Sequence, residues 1–428
     1  MVNNESNTRR TLMAVLAGLA LIGGGFYVNQ LINGLQVTGM NNSVSWGLYI
    51  VTFAFLVGLS AGGLIISSSA YVLKIERLKS VAPIGVVVAV ACIIGAAAMI
   101  MADVGHPERV LNIVFGGRFT SPIAWDFLVI SIYLLVGLYE CWIFFSNKWK
   151  GESEEKREHK LAKAAIFSLP IALLVHSITA WIFGLQVGKP YWDTALMAPI
   201  FISSAVVSGV GLLLLVAHFG RKVGIPGLDK ENLGTLAKVL VGFIFLDLFL
   251  LFCDLFTLVY SGGTVQAEAA LLILTGKFAP LLWFELIVGM VVPLFILGNK
   301  STNRSTGWLA IAGLLVMVAV FLKRINIILP GFLVENISFA PGVSTGRFVE
   351  STGNFFEAGQ TSFSLIPSYV PTFSEIAITV GVLSLVAFII VYGTGLVRNM
   401  GAQTDVNAGN AASRKVVGGK NLTSGVAK

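Results

Sequence analysis

Runs of about 18 to 27 predominantly apolar residues recur along this chain, and each is long enough to cross the hydrocarbon core of a bilayer. Their approximate cores are 12–32, 46–73, 81–102, 123–146, 161–187, 193–217, 236–259, 280–297, 307–329 and 375–397. Composition agrees: 56% of the 428 residues are hydrophobic, 12% are charged, and the mean hydropathy is +0.84. A soluble domain carries about a quarter charged residues. Soluble, disordered and collagen-like chains are excluded. The pattern predicts an all-α, polytopic transmembrane bundle of about ten helices, divided into two packed sub-bundles.

The basic residues choose the orientation. An even number of spans puts both termini on one side, and Lys and Arg accumulate on the cytoplasmic side. The termini and the segments near 74–80, 147–163, 218–238 and 298–306 hold 22 of the 29 Lys and Arg. The opposite connectors hold Arg109, Arg118, Lys189, Lys277 and Arg347, and Lys323 and Arg324 fall inside the ninth span. Both termini are therefore expected in the cytoplasm. The expected organisation is a cytoplasmic N-terminus at 1–11, a membrane domain at 12–397 with a long outer connector at 330–374, and a flexible cytoplasmic tail at 398–428. Twin arginines, Arg9-Arg10, precede the first run. That run is long for a signal peptide and no small-x-small cleavage site follows it, so a retained first helix is expected.

The charge excess of +7 is not a nucleic-acid signature. The basic residues lie between apolar runs and form no patch with aromatics. Cys92, Cys141 and Cys253 stand alone, without CxxC spacing, so no protein-bound iron–sulfur cluster or other metal site is expected. The histidines are His106, His159, His176 and His218, and only His176 lies within a span. A b-type haem commonly needs two histidines at matching depth, so no haem is expected.

Ionisable residues within the spans are the functional candidates, because each costs about 2.5–3.5 kcal/mol at a helix centre on insertion scales. Asp126, His176, Asp254, Glu285, Lys323 and Arg324 come from five spans and are predicted at one level toward the outer side. Interhelical pairing, two cations among several acids, is the structural alternative. Glu140 and Asp247 form a second set deeper in the membrane. Asp247 and Asp254 are seven residues apart and share a helical face. With Glu140 they are candidate rungs of a proton path from the cytoplasm; the competing account of Glu140 is an interfacial acid. Small residues in the second span (Gly58 to Gly63) and the sixth (Ser203-Ser204, Ser208 to Gly211) suit close helix approach. A slot for a flat ring or an isoprenoid tail is the sharper alternative.

Several motifs are similar to those of the NrfD/polysulfide reductase membrane-subunit family, in particular its larger ten-helix members. Asp103-Val104-Gly105-His106-Pro107-Glu108-Arg109 resembles that family's D-x-G-R/H-P-x-R loop. Ser121-Pro122-Ile123-Ala124-Trp125-Asp126 resembles its S-P-x-x-W-D/G. His176-Ser177 resembles an H-S pair in the fifth span. Ala198-Pro199 with Ser208-Gly209, and Lys323-Arg324-Ile325-Asn326, resemble its sixth and ninth spans.

The resemblance implies a haem-free, quinone-reactive anchor of a respiratory oxidoreductase in a bacterial or archaeal cytoplasmic membrane. Menaquinone or ubiquinone would be its bound substrate. It implies a ferredoxin-like iron–sulfur partner on the outer side. A further catalytic subunit would follow, such as a molybdopterin enzyme, a hydrogenase or a multihaem cytochrome. Quinol oxidation releases two electrons and two protons, so titratable groups must stand at the ring. His176 is expected to bond a quinone oxygen, and Asp126 or Asp254 to exchange the proton. Lys323 or Arg324 is expected to keep those acids ionised. Glu285 belongs to the same quinone-binding set. His106 and Arg109 are expected to shape the mouth or dock the partner. A secondary transporter is the rival, although no inverted repeat is visible; a purely structural anchor is a second.

Overall fold

The computed structural model describes residues 2–146, 154–225, 227–260, 264–334 and 368–420. Among the described residues ten helices are long and apolar enough to cross a membrane. They are α1 (Asn7–Asn33), α2 (Leu48–Val72), α3 (Ala82–Asp103), α4 (Pro122–Ser146), α5 (Glu155–Gly184), α6 (Met197–Lys222), α7 (Lys230–Tyr260), α8 (Ala279–Gly298), α9 (Thr306–Leu333) and α10 (Phe373–Asn399). Helices form because lipid offers no partner to backbone N–H and C=O groups, which must therefore bond within each span. The chain is a multi-pass membrane protein, and no strand occurs among the described residues. The last helix continues through Lys420. Most of the long 330–374 connector, residues 335–367, lies outside the described residues.

The spans alternate in direction. Arg9 Nη2 near the start of α1 donates to the carbonyls of Val391 and Tyr392 late in α10, at 3.2 and 3.3 Å. At the other end Thr372 Oγ1 donates to Val37 O at 2.9 Å. α1 and α10 are therefore antiparallel, and both chain ends leave from one face of the bundle, the terminal end. The face across the bundle from it is the opposite end.

Two packed groups are evident, α2–α5 and α6–α9, with the α1·α10 pair laid against α3. The seam between the groups is made where α2 meets α6 and α9, and where α5 meets α6. Small residues permit that seam. A Cβ on Gly209 of α6 would fall 2.5 Å from Gly62 Cα of α2; within the second group Gly211 of α6 meets Gly313 of α9 backbone to backbone. α2 is buried along most of its length, from Tyr49 to Ser68.

The opposite end is closed by connectors. Tyr191 Oη donates to Asn326 O at 2.6 Å and Trp192 Nε1 to Ile327 O at 2.7 Å. Trp192 packs edge-on to Phe332 and Phe183, and stacks on Trp46. The buried Glu375 carboxylate accepts from Gly39 N at 2.7 Å, Tyr369 Oη at 2.7 Å and Thr372 N at 2.9 Å. Tyr369 Oη in turn accepts from Leu48 N at 2.7 Å, so the segment entering α10 is tied to the start of α2. Gly105, directly after α3, has φ of 71°, a conformation that only glycine adopts without strain.

Candidate functional site

Four helices meet at a polar point in the seam. Arg324 of α9 is fully buried. Its Nη2 donates to Ser204 Oγ of α6 at 2.8 Å and lies 3.3 Å from His176 Nε2 of α5. Its guanidinium carbon sits 3.8 Å from the centre of the Phe201 ring, within cation–π range. α2 supplies Gly58, where an added Cβ would lie 3.5 Å from His176 Cε1 and 3.6 Å from Arg324 Nη2. His176 and Arg324 lie roughly 12–14 Å in from the opposite-end termini of α5 and α9, at 1.5 Å per residue.

Arginine donates and never accepts. His176 Nε2 therefore presents its lone pair to Arg324, which places the imidazole proton on Nδ1. That Nδ1 makes no well-formed hydrogen bond, its nearest acceptor being the Phe201 backbone, and Arg324 Nε and Nη1 have no hydrogen-bond partner. No carboxylate is ion-paired with Arg324 among the described residues, so a buried guanidinium is held by a hydroxyl, an imidazole and an aromatic face. Buried polar groups ordinarily find partners. Unsatisfied donors in one buried neighbourhood, beside an aromatic face and a glycine, fit a planar ring carrying carbonyl or hydroxyl oxygens.

A second chamber lies on the other face of α9, inside the α6–α9 group. Lys323 Nζ donates to Asp247 Oδ2 of α7 at 2.7 Å and stands 3.7 Å from Glu285 Oε1 of α8. Ser203 Oγ donates to Asp247 Oδ1 at 2.6 Å. Glu285 lies in an eight-residue π-helical stretch, Phe284–Val291, a form often found at functional sites. Asn326, one turn along α9 from Lys323, has neither amide atom paired. The doublets Ser203-Ser204 and Lys323-Arg324 divide between the chambers, because neighbouring residues on a helix point about 100° apart.

The expected single layer is thus two clusters and two outliers. Asp126 is buried on α4 and accepts from Thr179 Oγ1 of α5 at 2.7 Å. Asp254 has the Thr194 hydroxyl as its hydrogen-bonding neighbour. The expectation that Lys323 or Arg324 holds those two acids is corrected: Lys323 is committed to Asp247 and Glu285, and Arg324 to Ser204 and His176. Lys323 acts on Asp254 only through space. Asp247 also moves from the deeper set into the Lys323 chamber, as its hydrogen-bonded partner.

Glu140 is 2% exposed on α4, beside Ser168, with its Oε1 unpaired. Ser168 continues to Ser68 at 2.7 Å. Glu140 and Asp247 therefore belong to different helix groups. His106 and Arg109 are exposed on the 104–121 connector, where Glu108 takes both, at 3.0 and 3.8 Å. Its carboxyl is held below the usual range, first by a backbone hydrogen bond and then by His106.

Phe201 and Thr179 do not stand out as site residues in the sequence, and Ser203-Ser204 stand out there only as small residues beside a possible slot. The serine doublet facing the basic doublet is the signal that could have found the serines. Among the described residues no group of three or more His, Cys, Asp or Glu is placed to hold a metal ion.

Known proteins share this chain's pattern over most of its length. The profile of a family described as "Polysulphide reductase, NrfD" matches residues 36–336. A putative dimethyl sulfoxide reductase membrane subunit of Halobacterium salinarum is 34% identical over 401 residues, covering 90% of each of the two sequences. An "Hdr-like menaquinol oxidoreductase integral membrane subunit" of Archaeoglobus fulgidus is 29% identical, covering 92% of this chain and 94% of that one. One of the polysulfide reductase chains of Wolinella succinogenes is 26% identical, covering 68% of this chain and 95% of that one.

Proposed function

This chain belongs to the NrfD family, and on that premise we propose that it is the quinone-reactive membrane subunit of a respiratory oxidoreductase complex. It exchanges electrons with an iron–sulfur partner, which hands them to or from a further catalytic subunit, and it handles the coupled protons. The relatives support the coarser part of this reading, since their names describe parts of reductases and of a menaquinol oxidoreductase, two of them as membrane subunits. Menaquinone or ubiquinone is the proposed substrate. The partner is proposed on the face opposite the termini, and the terminal end, which carries most Lys and Arg, is proposed to face the cytoplasm of a bacterial or archaeal cell.

One observation carries the site assignment: Arg324 is buried without a carboxylate and keeps two N–H-bearing nitrogens unpaired beside His176 and Phe201. A quinol gives up two electrons and two protons, and negative charge develops on its ring oxygens as the protons leave. A fixed guanidinium stabilises that charge without reorganising. His176 Nδ1–H orients a ring oxygen. Asp126, held by Thr179 one turn along α5 from His176, is the proposed proton acceptor. Gly58 leaves room at the α2 wall.

The test uses the purified complex with its iron–sulfur partner. Arg324→Met removes hydrogen bonds to a charged group, worth about 1.5–3 kcal/mol, so quinone-coupled turnover should fall roughly ten- to hundred-fold while the complex still assembles. His176→Ala should weaken binding of a quinone-site inhibitor. If both variants keep wild-type turnover and inhibitor affinity, the site is elsewhere.

A further inference from the structure

The second chamber holds a charge arrangement that the seam site does not use. Both oxygens of Asp247 are bonded, one to Lys323 Nζ at 2.7 Å and the other to Ser203 Oγ at 2.6 Å. Glu285 is as deeply buried, at 1% exposure, yet neither of its oxygens has a hydrogen-bond partner. Its nearest cation, Lys323, stands 3.7 Å away. One ammonium thus faces two carboxyl groups and is hydrogen-bonded to only one of them. Burying a charge without a hydrogen-bonded partner is costly, and the ordinary relief is neutralisation.

The surroundings of Glu285 are polar in one direction. Asp247 faces the chamber from α7, Lys323 and Asn326 from α9, and Ser203 from α6, while Arg324 acts on it from the seam side and Asp254 from further along α7, both through space. The connector adds Tyr191, whose phenol is held well above its ordinary range by burial first, then by Asp254 and Glu285. Tyr191, on the connector, lies toward the opposite end, and Asn326 and Asp254 lie at about the depth of Glu285, six or seven residues from the opposite-end termini of their helices. Toward the terminal end the buried residues one to two turns along α7 from Asp247 and along α9 from Lys323 are Ile244, Leu240, Val320, Ala319 and Val316, all apolar.

We propose that Glu285, Lys323 and Asp247 form a proton-loading site, separate from the quinone site, at which Glu285 takes up one proton and returns it toward the opposite end. The proton adds to a Glu285 carboxylate oxygen, no bond between heavy atoms changes, and Lys323 stays bonded to Asp247 throughout. Release restores the carboxylate beside Lys323. The proposal rests on the quinone reading only for what drives loading: Arg324 follows Lys323 directly in the chain, so charge appearing at the seam site acts on the chamber.

Infrared difference spectra of the intact complex test this, recorded once by changing pH with no quinone present and once on adding quinol. The wild type should show a protonated-carboxyl band that exchanges in both experiments. Glu285→Gln should remove that band and slow quinol turnover by roughly 10²-fold, the lower range for a lost acid–base group. It should leave inhibitor binding unchanged. Glu285→Asp should shift the band, and serves if E285Q does not assemble. A band that survives in E285Q or is unshifted in E285D overturns the proposal. So does loss of inhibitor binding in E285Q, which would place Glu285 in the quinone site. Failure of the quinone reading is seen separately, as Arg324→Met and His176→Ala complexes that still bind inhibitor, and it leaves the pH-driven band as an independent test.

Discussion

Arg324 and His176 share a wall with a residue that has no side chain at all. Gly58 stands where a Cβ would make ordinary contact with both, at 3.6 and 3.5 Å. Alanine should therefore be tolerated there. Leucine must extend into the same space, and overpacking of that kind costs about 1–3 kcal/mol or displaces the neighbours. Gly58→Ala should leave quinone-coupled turnover near wild type, whereas Gly58→Leu should raise KM for quinol with the complex still assembled. A Gly58→Leu complex with unchanged KM would show that no substrate uses that wall. Which residues are candidates is largely legible in the sequence, because an ionisable side chain inside an apolar run is costly and therefore conspicuous. How they pair is not. Asp247 and Lys323 are 76 positions apart and meet at 2.7 Å, and nothing in either span announces the other. The adjacent doublets on α6 and α9 encode the division into two chambers, but only once the two helices are known to face each other.

The ten spans follow directly from apolar length, and most of their ends agree with the predicted cores to within a few residues. Hydropathy sees a span because lipid demands it. It does not see the hydrogen-bond register inside the span, so the π-helical stretch that carries Glu285 has no counterpart in the sequence pattern. Close approach is intermediate. The glycines of α2 and α6 are visible in the sequence with two uses open to them. The structure gives them close approach outright: Gly62 and Gly209 bring the two helix groups into backbone contact, while Gly58 borders the polar site. A Cβ at Gly209 would meet the backbone of α2, so the added methyl has nothing flexible to push aside. Gly209→Ala should destabilise the complex by about 1–3 kcal/mol, seen as a lower midpoint of thermal unfolding in detergent. The same change at Gly242, which has no atom within 4 Å of its Cβ position, should leave the midpoint unmoved. Equal midpoints for the two variants would mean that the seam is loose.

At the scale of the whole molecule, hydropathy hides the centre. α2 and α7 have mean hydropathies of 2.2 and 2.5 in their most apolar windows, yet those windows are 100% and 17% buried. Lipid tails and a protein interior are equally apolar, so position within the bundle is written in side-chain size and not in hydropathy. Small residues crowd α2, while α7 turns Phe245, Phe249, Phe252 and Phe256 outward. Orientation is carried by the uneven distribution of Lys and Arg between the two ends, a bias that acts during insertion and leaves no mark on packing. It is tested by labelling intact cells with a membrane-impermeant thiol reagent. Asn42→Cys, exposed on the connector between α1 and α2, should react without permeabilisation. Lys230→Cys, exposed at the terminal end, should react only after the membrane is opened. The reverse pattern would put the termini outside. It would also turn the polar side of the Glu285 chamber, and the proposed face for the iron–sulfur partner, toward the cytoplasm, so that the proton would be returned to the side opposite the one proposed here.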